Sequence, residues 1–244
     1  MINLGQYFTP DAIVDQMISL IENNGSILEP SCGNGAFLHK LPKYAIGIEI
    51  DSNFTGENIL NIDFFDYNPV EKFDTIIGNP PYVKYQEIYP ETLHKLPNIL
   101  DKRSNLYLFF MWKSIDLLKD NGELIFIVPR DFLKTTSARP LNIRFIQEGC
   151  FTYFHEFGDE KIFADASPNV CIFRWVKNLQ ANNAISVYEN NGYLQFKMIQ
   201  KNTIPLSELF DIKTGGVTGC NEIYYQPFGN IDLVVSSTKR TGKT

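Results

Sequence analysis

Phe73-Asp74-Thr75-Ile76-Ile77-Gly78-Asn79-Pro80-Pro81-Tyr82 is the stretch whose reading decides the fold. Its first half is a short apolar run of the kind that forms a buried strand. Its second half cannot continue one. Two consecutive prolines have no N–H to donate and hold φ near one value, and proline drives the residue before it into an extended conformation. The reading is a stiff turn at the C-terminal end of a buried strand, with an amide (Asn79) at its start and an aromatic (Tyr82) at its end. Open α/β sheets bind ligands beyond the carboxyl ends of their strands. Four residues alone do not separate a catalytic turn from an ordinary Pro-Pro turn, so the rest of the chain must.

Upstream, three more strands are predicted, each ending in residues suited to a ligand. Ser26-Ile27-Leu28 runs into Glu29-Pro30-Ser31-Cys32-Gly33-Asn34-Gly35-Ala36-Phe37-Leu38. Glycines between a strand and a helix let the backbone approach a ligand closely. Leu38 stands where the G-x-G-x-x-G pattern needs glycine, and no Lys follows in Walker fashion. A glycine turn preceded by an acid suits a cofactor with a free amino group. Tyr44 to Glu49 reads as the second strand, and an acid at its end is the usual partner for the two hydroxyls of a ribose. Asn58 to Phe64 reads as a third, with Asp63 to accept from an adenine amino group and Phe64 to pack on the ring. The link between these two, from Asp51 to Glu57, is short for a helical crossover. The third strand is therefore expected to be abbreviated.

Before all of these, Thr9-Pro10-Asp11 reads as a helix start with Thr9 as N-cap and Pro10 at the first helical position. Ile13, Val14, Met17, Ile18 and Ile21 form the apolar face, and Asn23-Asn24-Gly25 ends it. Free N–H groups at such a start suit an anion such as a carboxylate.

The totals narrow the class. With 244 residues and a hydrophobic fraction of 44%, one full core and part of a second domain are expected. No apolar run is long enough to span a membrane, and no secretory signal is visible. Cys32, Cys150, Cys171 and Cys220 form no C-x-x-C pair, and His39, His94 and His155 are scattered, so reduced thiols, a cytoplasmic location and no metal site are expected. Net charge is −6 but unevenly spread. Residues 1–82 hold three Lys and Arg against eleven Asp and Glu, which suits a positively charged cofactor. The later part carries Lys84, Lys102, Arg103, Arg130, Lys134, Arg139 and Arg144, a better candidate for phosphate contact.

Downstream, Lys84 to Ser104 reads as a polar loop beside the substrate, followed by a helix over 105–119 and a strand at Glu123 to Pro129. A helix around Pro140 to Gln147 precedes Phe151 to Phe154, and Val170 to Trp175 is a last strand. Ala184 to Tyr188 and Tyr193 to Met198 read as a hairpin around Asn190-Asn191-Gly192. The closing Gly242-Lys243-Thr244 is no P-loop, because position 237 is Ser.

Taken in order, a glycine turn, an acid, an Asp-Phe pair and Asn79-Pro80-Pro81-Tyr82 resemble the S-adenosylmethionine-dependent DNA methyltransferases that modify exocyclic amines. Within them they resemble the gamma class of adenine methyltransferases of restriction-modification systems. Gln6-Tyr7-Phe8-Thr9-Pro10 looks like that class's opening motif, and Glu29 to Phe37 is close to its glycine motif. The resemblance implies an α/β, Rossmann-like class I methyltransferase fold with a seven-stranded, mostly parallel sheet whose last pairing is antiparallel. It implies S-adenosyl-L-methionine held by Tyr7, Thr9, Glu29, Cys32, Gly33, Glu49, Ile50, Asp63, Phe64, Asn79 and Pro81. Asn79, Pro80 and Tyr82 would be catalytic, with Tyr82 and Phe163 stacking on a flipped base. The implied partner is double-stranded DNA with a flipped adenine. The implied organisation is a catalytic domain over 1–177, a connector over 178–205 and the start of a truncated target-recognition domain over 206–244. A separate subunit or chain segment would then complete target recognition.

The chemistry of the turn fits. An adenine amine is a poor nucleophile because its lone pair is delocalised into the ring. The Asn79 side-chain oxygen and the Pro80 carbonyl would accept its two hydrogens and localise that lone pair, a preorganised electrostatic effect. No Pro-Cys follows the strand, so methylation of a cytosine ring carbon is not expected. Enzymes that methylate a release-factor glutamine share Asn-Pro-Pro-Tyr, but they carry a helical domain for which 28 residues before Glu29 leave no room. Methylation of a ribosomal RNA amine also meets the chemistry of this turn. A DNA-binding subunit that keeps the fold without catalysing would be a different class of protein, and the intact turn argues against it.

Overall fold

The computed structural model describes residues 7–163, 169–179, 185 and 187–196. All of them belong to one compact unit, Met1–Ile199. Helix α1 (Asp11–Ile18) is followed by strands β1 (Ile27–Glu29), β2 (Ile46–Ile48), β3 (Ile59–Leu60) and β4 (Phe73–Gly78). Next come a one-turn helix α2 (Pro90–Leu93), helix α3 (Leu106–Leu117) and strand β5 (Leu118–Pro129). Helix α4 (Arg139–Glu148), β6 (Gly149–Glu156), β7 (Val170–Lys177) and the pair β8 (Val187–Asn190) and β9 (Tyr193–Phe196) complete it.

Seven strands form one sheet in the order β3-β2-β1-β4-β5-β7-β6. β3, β2, β1, β4 and β5 run parallel, and β7 is antiparallel to both β5 and β6. The chain reverses direction along the sheet at β1 and β4. The ends of these two strands therefore flank the crevice where ligands bind in such sheets. The central strands read as unbroken apolar runs because both faces are covered. On one face Leu28, Ile76, Leu124, Phe126 and Val128 pack with the almost wholly buried α3. On the other, Ile27, Ile77, Ile125 and Ile127 pack with Val14 and Met17 of α1 and with Phe37. The alternation along each strand is the period-two rule applied to a sheet buried twice.

Three local expectations are corrected. Pro10, not Thr9, is the N-cap of α1, and it makes no side-chain cap bond. The helix ends at Ile18 rather than reaching Ile21. No regular helix follows the glycine turn; residues 33–40 form successive turns held by bonds such as His39 N to Gly35 O at 2.9 Å. The abbreviated third strand is observed, at two residues. Its short link needs no helix because the Asn61 side-chain amide holds it from within, donating to the Phe54 carbonyl at 2.8 Å.

The hairpin forms where expected, with Asn191 and Gly192 at φ 53° and 80°, the paired positive values of a type I′ turn. Within the residues read as a connector, it packs on the sheet domain. Leu194 is buried in the main core, Phe196 stacks on Phe154 at 3.8 Å, and the Asn142 amide donates to the Gly192 carbonyl at 2.9 Å. Residues 206–244, Cys220 and the outer ends of that hairpin lie outside the described residues.

Candidate active site

Four strand ends meet around one cleft of roughly 970 Å3, counting its open mouth. Tyr7 and Thr9 line it from the N-terminal segment; Glu29, Cys32 and Gly33 from the turn after β1; Glu49 and Ile50 from the end of β2. Asp63 and Phe64 line it from beyond β3, and Asn79 and Pro81 from beyond β4. All eleven residues expected around a cofactor thus share one concavity. Pro80, Tyr82 and Phe163 lie outside its lining.

The glycine turn and the acid after β2 are built as one piece. Gly33 sits at φ +50°, where a side chain is strained, and this aims its N–H at Glu49 Oε2, 2.7 Å away. The other carboxylate oxygen accepts from Asp51 N at 2.9 Å. An ionised carboxylate has about four acceptor positions, so Glu49 keeps capacity for hydroxyl donors in the cleft.

Glu29 is only 2% exposed, and its Oε2 has no partner among the described residues. Burial pushes this carboxyl well above the usual range; a bond from the Leu38 backbone opposes the rise and the nearby Glu49 charge adds to it. Cys32 sits between these two acids. Burial, then the charges of Glu29 and Glu49, push its thiol far up, which makes it an inert wall rather than a nucleophile.

Asp63 is held from a segment whose sequence reads as polar loop. Its Oδ2 accepts from Thr92 Oγ1 at 2.7 Å and from Lys95 Nζ at 3.0 Å, and its Oδ1 from Phe65 N at 2.9 Å. The 84–104 region is thus tied over the cleft, and Ile88, Tyr89 and Thr92 line it. Phe64, 2% exposed, stacks on Phe110 of α3 at 4.8 Å. The chain signal for Phe110 was only its apolar helix position, which does not distinguish core from cleft.

At the turn, Asn79 Nδ2 donates to the Tyr7 carbonyl at 2.9 Å and to Thr9 Oγ1 at 3.2 Å. Its Oδ1 is buried and without a partner among the described residues. The Asn79 carbonyl accepts from Ser31 Oγ at 3.1 Å, fastening this turn to the glycine turn. Tyr82 donates its hydroxyl to the Ile127 carbonyl at 3.0 Å, and burial pushes its phenol well up. The Tyr7 ring stands against Tyr82 at 5.1 Å and against Phe163 at 5.3 Å, and Phe163 is 3% exposed. Sequence reading missed that Tyr7 joins these two rings, since the three are distant in the chain.

Four of the basic residues expected at phosphate are committed elsewhere. Arg103 pairs with Asp101 at 2.5 Å and Arg130 with Glu156. Arg144 bonds Asp116, Glu148 and the Trp112 carbonyl, at 2.5, 2.8 and 3.0 Å. Arg139 reaches Asn191 and lies 5.7 Å from the Tyr193 ring centre. Lys84, Lys102 and Lys134 are exposed. Among the described residues, no helix is long and apolar enough to cross a membrane, and no group of three His, Cys, Asp or Glu could hold a metal.

Comparison with known proteins gives the family and the fold. The type II methyltransferase M.HincII of Haemophilus influenzae is 32% identical over 97% of this chain and 46% of its own length. The chain therefore spans under half of that relative. The type I restriction enzyme EcoKI M protein superposes with a TM-score of 0.60 at 17% identity, over 73% of this chain and 45% of that one. A Listeria monocytogenes protein described as a putative class I S-adenosylmethionine-dependent methyltransferase does so with a TM-score of 0.57 at 18% identity, over 72% and 64%. The fold is that of class I methyltransferases. The family model of the Eco57I restriction-modification methylase matches residues 18–163, more than half of the sequence and every strand end of the cleft, and the chain belongs to that family.

Proposed function

We propose that this chain is the cofactor-binding and catalytic part of a site-specific DNA methyltransferase of a restriction-modification system. It methylates N6 of adenine with S-adenosyl-L-methionine. The observation that carries this reading is the unpartnered, buried Asn79 Oδ1 at the rim of a cleft whose other orphan is a buried glutamate. A buried acceptor left unsatisfied costs free energy, about 1–3 kcal/mol, and is retained where a ligand completes it.

The residues present fit the cofactor. Glu29 and Glu49 put two acids beside a cationic ligand. Glu49 keeps acceptor positions for ribose hydroxyls, and Asp63, with one carboxylate direction left, takes the adenine amine over Phe64. Tyr7, Thr9, Cys32, Gly33, Ile50, Asn79 and Pro81 complete its walls. Bound there, the cofactor supplies an electrophilic methyl group on a sulfonium.

The rest is the work of the chain. Asn79 Oδ1 and the Pro80 carbonyl accept the two hydrogens of the target amine, so its lone pair localises on nitrogen. Fixed acceptors that meet developing positive charge need no reorganisation at the moment of reaction. The target base leaves the duplex to reach them, and Tyr82 and Phe163 stack on it. The exposed Lys84, Lys102 and Lys134 contact phosphates. Target recognition comes from further sequence or a separate subunit, and the setting is cytoplasmic.

The test is transfer of labelled methyl from the cofactor to DNA, with any target-recognition segment or subunit present. Label is expected on adenine N6, and Asn79→Ala is expected to lower transfer by about 10²–10³ while cofactor still binds. Label on RNA or on protein, with none on DNA, would overturn the reading.

A further inference from the structure

An asparagine amide has two ends of nearly equal shape and opposite chemistry: the oxygen only accepts and the nitrogen only donates. A target amine brings two hydrogens, so an Asn79 turned the other way would set donor against donor. Something must choose the orientation. A backbone carbonyl is an acceptor only, and the carbonyl of Tyr7 lies 2.9 Å from the Asn79 amide nitrogen. The hydroxyl oxygen of Thr9 lies 3.2 Å from the same nitrogen. Both hydrogens of Nδ2 have acceptors, and Oδ1 is left facing away, buried and unpartnered among the described residues.

Both acceptors are themselves fixed. The Tyr7 ring packs against both Tyr82 and Phe163, which also touch each other at 6.2 Å. Thr9 is buried, at 9% exposure, and although it directly precedes Pro10 it spends no bond on capping α1. A threonine at a helix start that caps nothing leaves its hydroxyl available for another task.

We propose that Thr9 is a positioning residue for Asn79, acting with the Tyr7 carbonyl to hold the amide so that Oδ1 faces the reacting amine. This rests on the function proposed above and adds to the cofactor contact expected of the same segment. A hydroxyl that accepts from Asn79 still has its own hydrogen to donate into the cleft. One side chain then touches both halves of the reaction.

Thr9→Val keeps the shape and β-branching and removes the acceptor, whereas Thr9→Ser restores it. At saturating cofactor and DNA, Thr9→Val is expected to lower kcat by about tenfold, the scale of one lost hydrogen bond. Thr9→Ser is expected to recover most of that. A rise in KM for the cofactor with kcat unchanged would assign Thr9 to cofactor contact alone and overturn the proposal. A second readout needs no turnover. The side-chain amide signals of Asn79 in a 15N-labelled sample, identified by their loss in Asn79→Asp, are expected to exchange slowly in the unsubstituted protein and in Thr9→Ser. In Thr9→Val they are expected to move and exchange faster, and unmoved signals would also overturn the proposal. If the unsubstituted protein transfers no methyl to DNA, the functional reading fails while the amide signals still decide the role of Thr9. Should Thr9→Val not fold, Thr9→Ala carries the same two readouts.

Discussion

Glu29 and Glu123 are glutamates on strands of one sheet, at 2% and 0% exposure, and their surroundings are opposite. Glu123 lies toward the N-terminal ends of the strands, paired in register with Thr75. It accepts from Thr75 Oγ1 at 2.8 Å, from Arg174 Nε at 2.7 Å and from the backbone N–H of Asn23 at 3.0 Å. Arg174 in turn reaches Thr152 and Glu22. Glu29 lies at the carboxyl end of its strand, with one oxygen unpartnered and its carboxyl pushed up by burial. A satisfied buried network ties elements together. An unpartnered buried acceptor costs free energy instead. The two ends of the strands thus divide stability from chemistry.

That division can be broken by substitution. Arg174→Met removes the charge opposite a fully buried carboxylate, and unfolding in urea is expected to show a loss of about 3–5 kcal/mol. Cofactor affinity in the folded fraction is expected to stay unchanged; if affinity fell while stability held, the two strand ends would not be separate. Asn79→Ala is the converse: transfer is expected to drop by about 10²–10³, the scale of losing one preorganised electrostatic contact, with a melting temperature near that of the unsubstituted protein. Thr92→Val cuts one of the bonds holding the 84–104 region to Asp63. It is expected to weaken cofactor binding about fivefold by calorimetry, on the scale of one neutral hydrogen bond.

The smallest effect is the most diagnostic. The carboxyl of Glu29 is raised in the folded state, so the folded protein binds its proton more tightly than the unfolded chain does. The stability it contributes is complete below the ordinary glutamate range and is lost as pH rises through the raised value. Glu29→Gln removes this loss. The melting temperature of the unsubstituted protein relative to that variant is expected to decline as pH is raised from acid to neutral. Parallel curves would mean that burial does not raise the Glu29 carboxyl in the folded protein.

Most of the frame was legible in sequence for a plain reason. Strands buried on both faces are apolar at most positions, so Phe73 to Gly78 and Glu123 to Pro129 announce themselves, and prolines or glycines mark their ends. Asn191-Gly192 was equally legible, since few residues accept two successive positive φ values. What was missed lies in contacts between segments far apart. Thr9 carries every local mark of an N-cap, yet its hydroxyl serves Asn79, because a tertiary partner competed with the helix for it. Arg144 reads as a candidate for phosphate contact and is spent on Asp116 and Glu148. Thr92 and Lys95 sit in a polar stretch with no periodicity, and only folding brings them to Asp63.

By itself the sequence determined which strands exist, what stands at the end of each, and that an amide, two acids and a glycine turn occur in that order. Backbone sterics and the alternation of buried faces are local properties, readable residue by residue. Only the tertiary structure decided which polar atoms are satisfied and which are left open. The Asn79 amide is oriented by a carbonyl and a hydroxyl 72 and 70 residues away, and hydrogen bonds at such separation depend on the whole fold.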